Sequence, residues 1–305
     1  MGCMTPEQRV FSTAELHAEG MTRARIATAV WLGYLVRARR GFYVAATTPD
    51  VIVRAVRVGG KLTCLSLLAL MGVFVLRNDK IHVHLLRTAS RMRSPHSRRV
   101  PLESRRTRGV RLHWLPLIDE VPRGATCVSV IDALAHAVLC QAPRAAVATL
   151  DSALHLGHVT DAGLADVFRA LPAKYAVLRA LVDGRAESGP ETLMRLMLRA
   201  LGCDVQLQVE FEGIGRVDLV VDGWLVIECD SKEFHESWAQ QMKDRNRDLA
   251  LAARGYVTLR LTAAQIMYRD DEVLAAVKGL LAAPRGCRTQ AGCRTFGTDA
   301  RHDAA

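Results

Sequence analysis

The pattern of hydrophobic and polar positions predicts two short helices at the start of the chain. Ser12-Thr13-Ala14-Glu15 matches a capping box, in which a hydroxyl and a carboxylate satisfy exposed backbone amides at a helix start. We expect this helix to end at Gly20. Thr22 can cap a second helix, whose apolar residues repeat at helical spacing until Gly33. The pattern therefore predicts a helix, a tight turn and a second helix.

A basic hairpin is expected to follow these helices. Residues 34–38 and 42–44 have the composition of short strands, and Arg39-Arg40-Gly41 lies between them. This order predicts a winged helix-turn-helix over residues 5–46, which would bind DNA through cations on the second helix and the wing. A small helical hairpin used for protein contacts is the alternative. The candidate DNA-binding residues are Arg23, Arg25, Arg37, Arg39 and Arg40.

The clearest alternation lies near the other end of the chain. Ser188-Gly189-Pro190-Glu191 matches another capping box, and the helix after it is expected to end at Gly202. Residues 205–211 then alternate strictly, as a half-buried strand does. Further segments follow in the order strand, strand, helix, strand and helix; they are 217–221, 224–230, 236–254, 256–261 and a helix capped by Thr262. The pattern predicts an α/β (α+β) domain with a mixed sheet over residues 184–283.

The middle of the chain, residues 47–183, has a mixed and mainly helical pattern. Residues 129–140 and 143–156 are expected to form Ala-rich helices. Nine arginines and a single acid, Glu103, lie between Arg87 and Arg111, which is typical either of a phosphate-contacting loop or of a solvated connector. Residues 284–305 lack periodicity and are expected to be a disordered tail.

Composition and charge narrow the classes of function. The chain has 305 residues, enough for roughly two domains at about 150 residues each, and 50% of them are hydrophobic. A formal net charge of +10 makes a polyanion, with DNA first, the expected partner. Neither a secretory signal nor an apolar segment of about 18 residues is visible, so we expect a cytoplasmic protein without a membrane partner. Whether it forms a homodimer is left open.

Cysteine and histidine spacing gives little sign of a metal site. The eight cysteines contain no CxxC pair, which favours reduced buried thiols over a structural zinc. His82 and His84 share a strand face, but no third ligand is near them in the sequence. We therefore expect no metal at these residues.

Acidic residues of the predicted sheet suggest a different site. Odd positions of strands 217–221 and 224–230 are apolar, whereas Asp218, Glu228 and Asp230 occupy even positions. A three-residue loop at 221–223 would pair residue 218 with 226 and leave Glu228 diagonally across on the same face. A two-residue loop would place Glu228 on the opposite face. We favour the first register.

Three carboxylates on one face repel one another and need protons, cationic partners or a metal ion. Mg²⁺, with Mn²⁺ as a substitute, suits carboxylate oxygens and would activate water at a phosphodiester. Asp218, Glu228 and Asp230 are the candidate ligands. The alternative is that these acids pair with Arg247 or Arg260.

Two sets of motifs are shared with known families. The first consists of Phe11-Ser12-Thr13-Ala14-Glu15-Leu16, Gly20, Gly33-Tyr34-Leu35 and Arg40-Gly41-Phe42-Tyr43. Through it, about 40 residues resemble the N-terminal winged-helix domain of abortive-infection type IV antitoxins. The second consists of Glu187-Ser188, Glu191, Val217-Asp218, Ile227-Glu228-Cys229-Asp230, Phe234-His235, Asp244-Arg245, Arg247-Asp248, Gly255-Tyr256 and Leu259-Arg260-Leu261-Thr262. Through it, about 95 residues resemble uncharacterised proteins related to very-short-patch-repair endonucleases, of the PD-(D/E)XK superfamily.

The second resemblance implies catalytic roles. Glu191, Asp218 and Glu228 would be the acidic metal-site residues, and His235 would assist proton transfer or phosphate binding. The superfamily's Glu-x-Lys step reads Glu228-Cys229-Asp230 here, so its lysine is missing. Lys232 is a candidate substitute, and Asp230 a candidate extra ligand. Two arginines of the following helix, Arg245 and Arg247, join the DNA-binding candidates.

The sequence therefore predicts a magnesium-dependent DNA endonuclease that an N-terminal DNA-binding module directs to its target. The alternative is a non-catalytic DNA-binding regulator, similar to the antitoxins, whose nuclease-like domain is degenerate. Retention of Glu191, Asp218 and Glu228 favours the enzyme, whereas the missing lysine favours the regulator.

Overall fold

The computed structural model describes residues 9–103, 109–230 and 238–283. Within these ranges the chain has a mixed α/β structure with three sheets, which are antiparallel or mixed. Its contacts divide it into two compact units, Met1–Leu196 and Met197–Ala305. Among the described helices, none has the length and apolar character needed to cross a membrane. The predicted tail, residues 284–305, lies outside the described residues.

The first unit begins with two capped helices and an antiparallel sheet. Its elements are β1 Phe11–Ser12, α1 Thr13–Ala18, α2 Arg23–Trp31, β2 Leu35–Arg39 and β3 Phe42–Ala45. The capping box is present, since Ser12 Oγ accepts the Glu15 N–H at 3.1 Å and the Glu15 carboxylate accepts the Ser12 N–H at 2.8 Å. Thr22 Oγ1 accepts the Arg25 N–H at 3.2 Å. The predicted order of two helices and a hairpin is confirmed.

A small apolar cluster holds these elements together. Leu16 of α1, Ile26 of α2 and Tyr43 of β3 are buried against one another. Burying each side chain of this size contributes roughly 1.5–3 kcal/mol. Ala38 and Val44, on the other side of the hairpin, belong to the large core of the first unit. The N-terminal elements therefore share a core with the residues that follow them.

The rest of the first unit combines a second small sheet with a group of helices. Its elements are α3 Asp50–Val58, β4 Lys61–Leu62, α4 Cys64–Leu70, β5 Ile81–His84, β6 Val110–His113, α5 Val130–Cys140, α6 Pro143–His155, α7 Asp161–Ala170 and a 3₁₀ segment, Ala173–Leu181. Strand β5 pairs antiparallel with β4 and parallel with β6. The two predicted Ala-rich helices appear as α5 and α6. Of the Arg-rich segment, residues 104–108 lie outside the described residues.

A buried ion pair lies inside this unit. Arg195 and Asp151 are 0% and 1% exposed at their side chains, and Arg195 Nη2 donates to Asp151 Oδ2 at 2.8 Å. The same carboxylate oxygen accepts from the Thr192 hydroxyl, and the other accepts from the Asp183 N–H. Burial raises the pKa of Asp151, which these partners oppose. The pair fixes α6 against the helix that carries Arg195.

That helix, α8 Gly189–Ala200, crosses the boundary between the units. The second unit continues with β7 Val205–Phe211, β8 Gly215–Val221, β9 Leu225–Asp230, α9 Trp238–Ala253, β10 Val257–Thr262, α10 Ala263–Tyr268 and α11 Asp270–Ala282. The described strands form a sheet in the order β10-β9-β8-β7. β7, β8 and β9 are antiparallel neighbours, and β10 is parallel to β9. This is the predicted mixed sheet.

The hairpin between β8 and β9 differs from the predicted register. Val221 pairs with Leu225, so the loop is 222–224 rather than 221–223. Asp222 and Gly223 have φ values of 48° and 71°, and the Trp224 N–H donates to the Val221 carbonyl at 3.1 Å. Two successive left-handed residues form this tight turn, which keeps Val221 in the strand. The predicted pairing of residue 218 with 226 is wrong.

Both faces of this sheet contribute to the core. The odd positions Leu219, Leu225 and Ile227 are buried, as predicted. The even positions Val220 and Val226 are also buried, and they pack with Leu251 of α9. The face that carries Asp218 and Glu228 is therefore covered by α9. It is apolar near the β8–β9 turn and polar further from it.

Candidate functional site

A polar row crosses the sheet of the second unit at right angles to its strands. Extending the β8–β9 register by one residue places Asp218 opposite Glu228. Glu228 lies beside Arg260 of β10. On the other side, Gln208 of β7 lies opposite Asp218, and the Gln208 side chain contacts the Asp218 carboxylate. Each strand thus supplies one polar side chain to the row. The prediction that Asp218 and Glu228 share a face is confirmed, although through a different register.

The two carboxyl groups at the centre of the row are held by each other's strands. Asp218 Oδ2 accepts the Cys229 N–H at 2.8 Å, and Glu228 Oε2 lies 3.4 Å from the Asp218 N–H. Glu228 is 5% exposed, whereas Asp218 is half-buried. These contacts fix both carboxyl groups on the face that α9 covers.

Burial and mutual repulsion perturb the titration of both acids. Burial, followed by the neighbouring Asp218 charge, raises the pKa of Glu228 to about 7, against the effect of Arg247. Burial also raises the pKa of Asp218, which the hydrogen bond from Cys229 opposes. A buried pair of like charges is stable only with a proton, a cationic side chain or a metal ion beside it. The pair of Asp218 and Glu228 is therefore a site that favours binding of a positively charged group.

Two arginines already supply part of that charge. Arg247 Nη2, from α9, lies 3.0 Å from Glu228 Oε1 and also donates to the Arg216 carbonyl. Arg260 forms a bidentate salt bridge with Asp248 of α9, with hydrogen bonds of 2.8 and 3.0 Å. Arg260 Nη1 also lies 3.8 Å from Asp230 Oδ1. The pairing of the acids with Arg247 or Arg260, weighed from the sequence, is thus present in the structure.

Other predicted catalytic residues are placed as follows. Asp230 ends β9 and is exposed. Glu191 lies in the first unit, where it is 4% exposed and its carboxylate accepts the Glu187 N–H at 2.9 Å. Ser188 Oγ is 3.4 Å from the Glu191 N–H, so Glu191 takes part in capping α8. Lys232 and His235 lie outside the described residues.

The predicted DNA-binding arginines fall into two groups. Arg23, Arg25, Arg37 and Arg40 are exposed around α2 and the β2–β3 hairpin. Arg39 is half-buried, because its guanidinium lies against Gly59, which has a φ of 115° and ends α3. A Cβ at residue 59 would clash with Arg39 Nη1. In the second unit, Arg245 lies over the Trp238 ring at 5.6 Å, and Arg247 contacts Glu228.

A cluster of metal-binding side chains, which the sequence reasoning missed, lies in the first unit. Cys64, His82, His113 and Cys140 each turn one ligand atom inward, and these four atoms lie within 4.8 Å of one another. The expectation that His82 lacks further ligands is therefore wrong. The four residues come from α4, β5, β6 and α5, so local spacing gave no signal. The cluster can hold a metal ion.

Further histidines surround this Cys/His cluster. His136 stacks on His113 with ring centroids 4.8 Å apart, and it shares a 2.7 Å hydrogen bond with the Thr63 hydroxyl. Burial, with the nearby His113 and His84, lowers the pKa of His136 to about 3. His84 stacks on His136 and contacts the Leu115 carbonyl through Nε2 at 2.9 Å. These contacts hold His136 neutral beside the cluster.

Comparison with known proteins adds no family assignment. No protein-family model matches the chain, and no curated protein matches it.

Proposed function

We propose that the protein is a magnesium-dependent DNA endonuclease whose N-terminal elements bind DNA as a winged helix. The observation that carries this proposal is the facing pair of Asp218 and Glu228 at the centre of a covered polar row. Clustered buried acids cost stability, so a site that keeps them needs a compensating cation. A divalent ion bound to acidic residues is the usual solution for phosphodiester hydrolysis.

The donor set suits magnesium. Both groups offer hard carboxylate oxygens, which Mg²⁺ prefers. Among the described residues, Glu228 Oε1 is buried without a hydrogen-bond partner, although Arg247 lies near enough for an ion pair. Asp218 and Glu228 would hold the ion. Asp230, at the end of the strand that carries Glu228, is a third candidate ligand. A bound ion would activate a water molecule and stabilise negative charge on the phosphodiester.

Topology supports the same proposal. The order α8, β7, β8, β9, α9, β10 is the succession of helix, three strands, helix and strand that the hydrophobic pattern predicts for the segment with the PD-(D/E)XK resemblance. Two of the acids that the resemblance implies, Asp218 and Glu228, lie on the adjacent strands β8 and β9. This placement supports a metal site shared by Asp218 and Glu228.

The chain's own cations have a role in this proposal. Arg260 neighbours Glu228 across the sheet, and Arg247 reaches Glu228 from α9. Since Asp230 replaces the superfamily's lysine, these guanidinium groups are the candidates to hold the phosphodiester beside the acids. Their ion pairs with Glu228 and Asp248 keep them oriented.

DNA binding is proposed for α2 and the β2–β3 hairpin. Arg23 and Arg25 lie at the exposed start of α2, and Arg37 and Arg40 are exposed on the hairpin. In this proposal α2 would enter the major groove and the hairpin would serve as the adjoining wing. The net charge of +10 agrees with a polyanionic partner.

The second candidate is a DNA-binding regulator whose nuclease-like unit is inactive. It is favoured by the contact between Arg247 and Glu228, because an arginine can neutralise the buried acid permanently. Incubation of the full chain with supercoiled plasmid separates the two functions. The endonuclease converts plasmid to open or linear forms only with Mg²⁺ or Mn²⁺. Binding without cleavage in the presence of either metal ion would support the non-catalytic regulator.

A further inference from the structure

We propose that Cys64, His82, His113 and Cys140 form a tetrahedral zinc site that stabilises the first unit. Two thiols and two imidazoles are a donor set that zinc binds in closed structural sites. Soft sulfur and borderline nitrogen donors do not suit Mg²⁺, which prefers oxygen. The site is therefore separate in ligands and in metal from the acidic pair of the proposed nuclease centre.

The spacing of the ligand atoms fits a zinc tetrahedron. His82 Nδ1 and His113 Nε2 are 3.1 Å apart, and Cys140 Sγ lies 3.9 Å from His113 Nε2. With Zn–N near 2.0–2.1 Å and Zn–S near 2.3 Å, a tetrahedron has edges of about 3.3–3.8 Å. All four ligand atoms lie within 4.8 Å of one another, so small adjustments would centre an ion among them.

The ligands come from four elements that converge in the core. Cys64 is the first residue of α4, Cys140 the last of α5, and His82 and His113 lie on the parallel neighbours β5 and β6. Cys64, His82 and His113 are buried, at 0%, 6% and 6% exposure. Four protein ligands leave no open position, which is the arrangement of a structural site. Zinc would thus link both strands to the helices that cover them.

The backbone conformation of Cys64 supports its assignment as a ligand. Cys64 has a φ of 53°, in the left-handed region that non-glycine residues rarely occupy. Such a conformation persists only where the surroundings hold it in place, and it is frequent at ligand sites. In this conformation the Cys64 thiol lies beside the ligand atoms of Cys140, His82 and His113.

A cavity gives solvent access to one side of the site. It has a volume of about 400 Å³, and His82 and Cys140 are among its lining residues. A metal site needs such an entry path for loading and removal. A chelator is therefore expected to reach the ion in the folded protein.

The test measures metal in the untagged full chain. Elemental analysis after purification without added metal should find one zinc ion per chain. Replacement of zinc by Co²⁺ should produce a thiolate-to-cobalt charge-transfer band and the intense visible bands of tetrahedral cobalt. Absence of stoichiometric zinc together with absence of these bands would overturn the proposal. A disulfide between Cys64 and Cys140 in protein freshly purified under reducing conditions would also overturn it.

Variants identify the ligands. Cys140→Ser with His113→Gln should eliminate zinc from the purified protein, because two of the four ligands are removed. The matched control, Cys127→Ser with His84→Gln, changes one buried cysteine and one buried histidine outside the four and should keep one zinc per chain. Zinc retained at full stoichiometry by the ligand variant contradicts the assignment. If that variant does not fold, the cobalt spectrum of the unaltered protein still decides.

Discussion

Asp218 and Glu228 face each other across β8 and β9, and each carboxyl group lies at the backbone of the other's strand. The relationship depends on the 222–224 loop, because a loop shorter by one residue would move Glu228 to the opposite face. The tight turn at Asp222 and Gly223 thus determines whether a paired acidic site exists.

The contact of Arg247 with Glu228 gives a test of how the acids are neutralised. Arg247→Gln removes the cationic partner and should raise the pKa of Glu228 above about 7, since Arg247 lowers it. Asp218→Asn should lower that pKa, because it removes a neighbouring negative charge. Carboxyl-carbon NMR titration of metal-free protein measures both shifts. Equal pKa values in the two variants would contradict the described pairing.

DNA binding should depend on the exposed arginines of the N-terminal helices. Arg23→Gln with Arg25→Gln should weaken binding and reduce the slope of log affinity against log salt by about 0.9 for each phosphate that is no longer neutralised. Fluorescence anisotropy over a salt series provides the measurement. The control is Arg169→Gln with Arg179→Gln, which changes the charge equally at arginines paired with Asp166 and Asp161. Equal losses of affinity in both double variants would contradict a specific surface at α2.

The buried pair of Asp151 and Arg195 should be essential for stability. Asp151→Asn leaves the Arg195 guanidinium buried without its counter-charge and should lower the free energy of unfolding by about 3–5 kcal/mol. Chemical denaturation of the full chain measures this decrease. Asp161→Asn is the control, because Asp161 pairs with Arg179 at the surface, where such pairs contribute about 0–1 kcal/mol. Similar decreases for the two variants would show that burial of the pair is not decisive.

The capping box gives a prediction about pH. Hydrogen bonds from the Ser12 backbone and side chain, with a smaller contribution from Arg9, lower the pKa of Glu15 to about 2 from 4.5. Because the folded-state pKa is depressed, the contribution of Glu15 is complete above pH 4.5 and is lost as the pH falls through about 2. NMR titration should find this low pKa in the unaltered protein and a higher one in Ser12→Ala. An ordinary pKa for Glu15 in the unaltered protein would contradict the capping geometry.

Local signals predicted much of the fold. Ser12 with Glu15, and Thr22, identified the first two helices, and strict alternation identified β7 over Val205–Phe211. These signals depend on residues within one or two turns of one another. Thr262 likewise identified the start of α10, where the structure adds a capping box with Gln265.

Relationships between distant residues were less accessible from the sequence. The loop was predicted at 221–223 because that register keeps Asp218 and Glu228 on one face, but Val221 belongs to the strand, where it pairs with Leu225. The Cys/His cluster combines residues 64, 82, 113 and 140, and no pair among them has a spacing that sequence rules recognise. Only the packing of α4 and α5 on β5 and β6 brings these residues together.

The most direct test of the central proposal compares plasmid cleavage by the unaltered protein, Asp218→Asn and Asp222→Asn. Asp222 lies at the exposed turn of the same hairpin, and asparagine readily adopts the left-handed conformation that this turn requires. Its variant therefore changes the charge near the site and keeps the turn. With Mg²⁺, the unaltered protein and Asp222→Asn should cleave, and Asp218→Asn should bind the plasmid without cleaving it. No protein should cleave when Mg²⁺ is absent. Equal cleavage by Asp218→Asn, or binding without cleavage by the unaltered protein under both Mg²⁺ and Mn²⁺, would contradict the endonuclease.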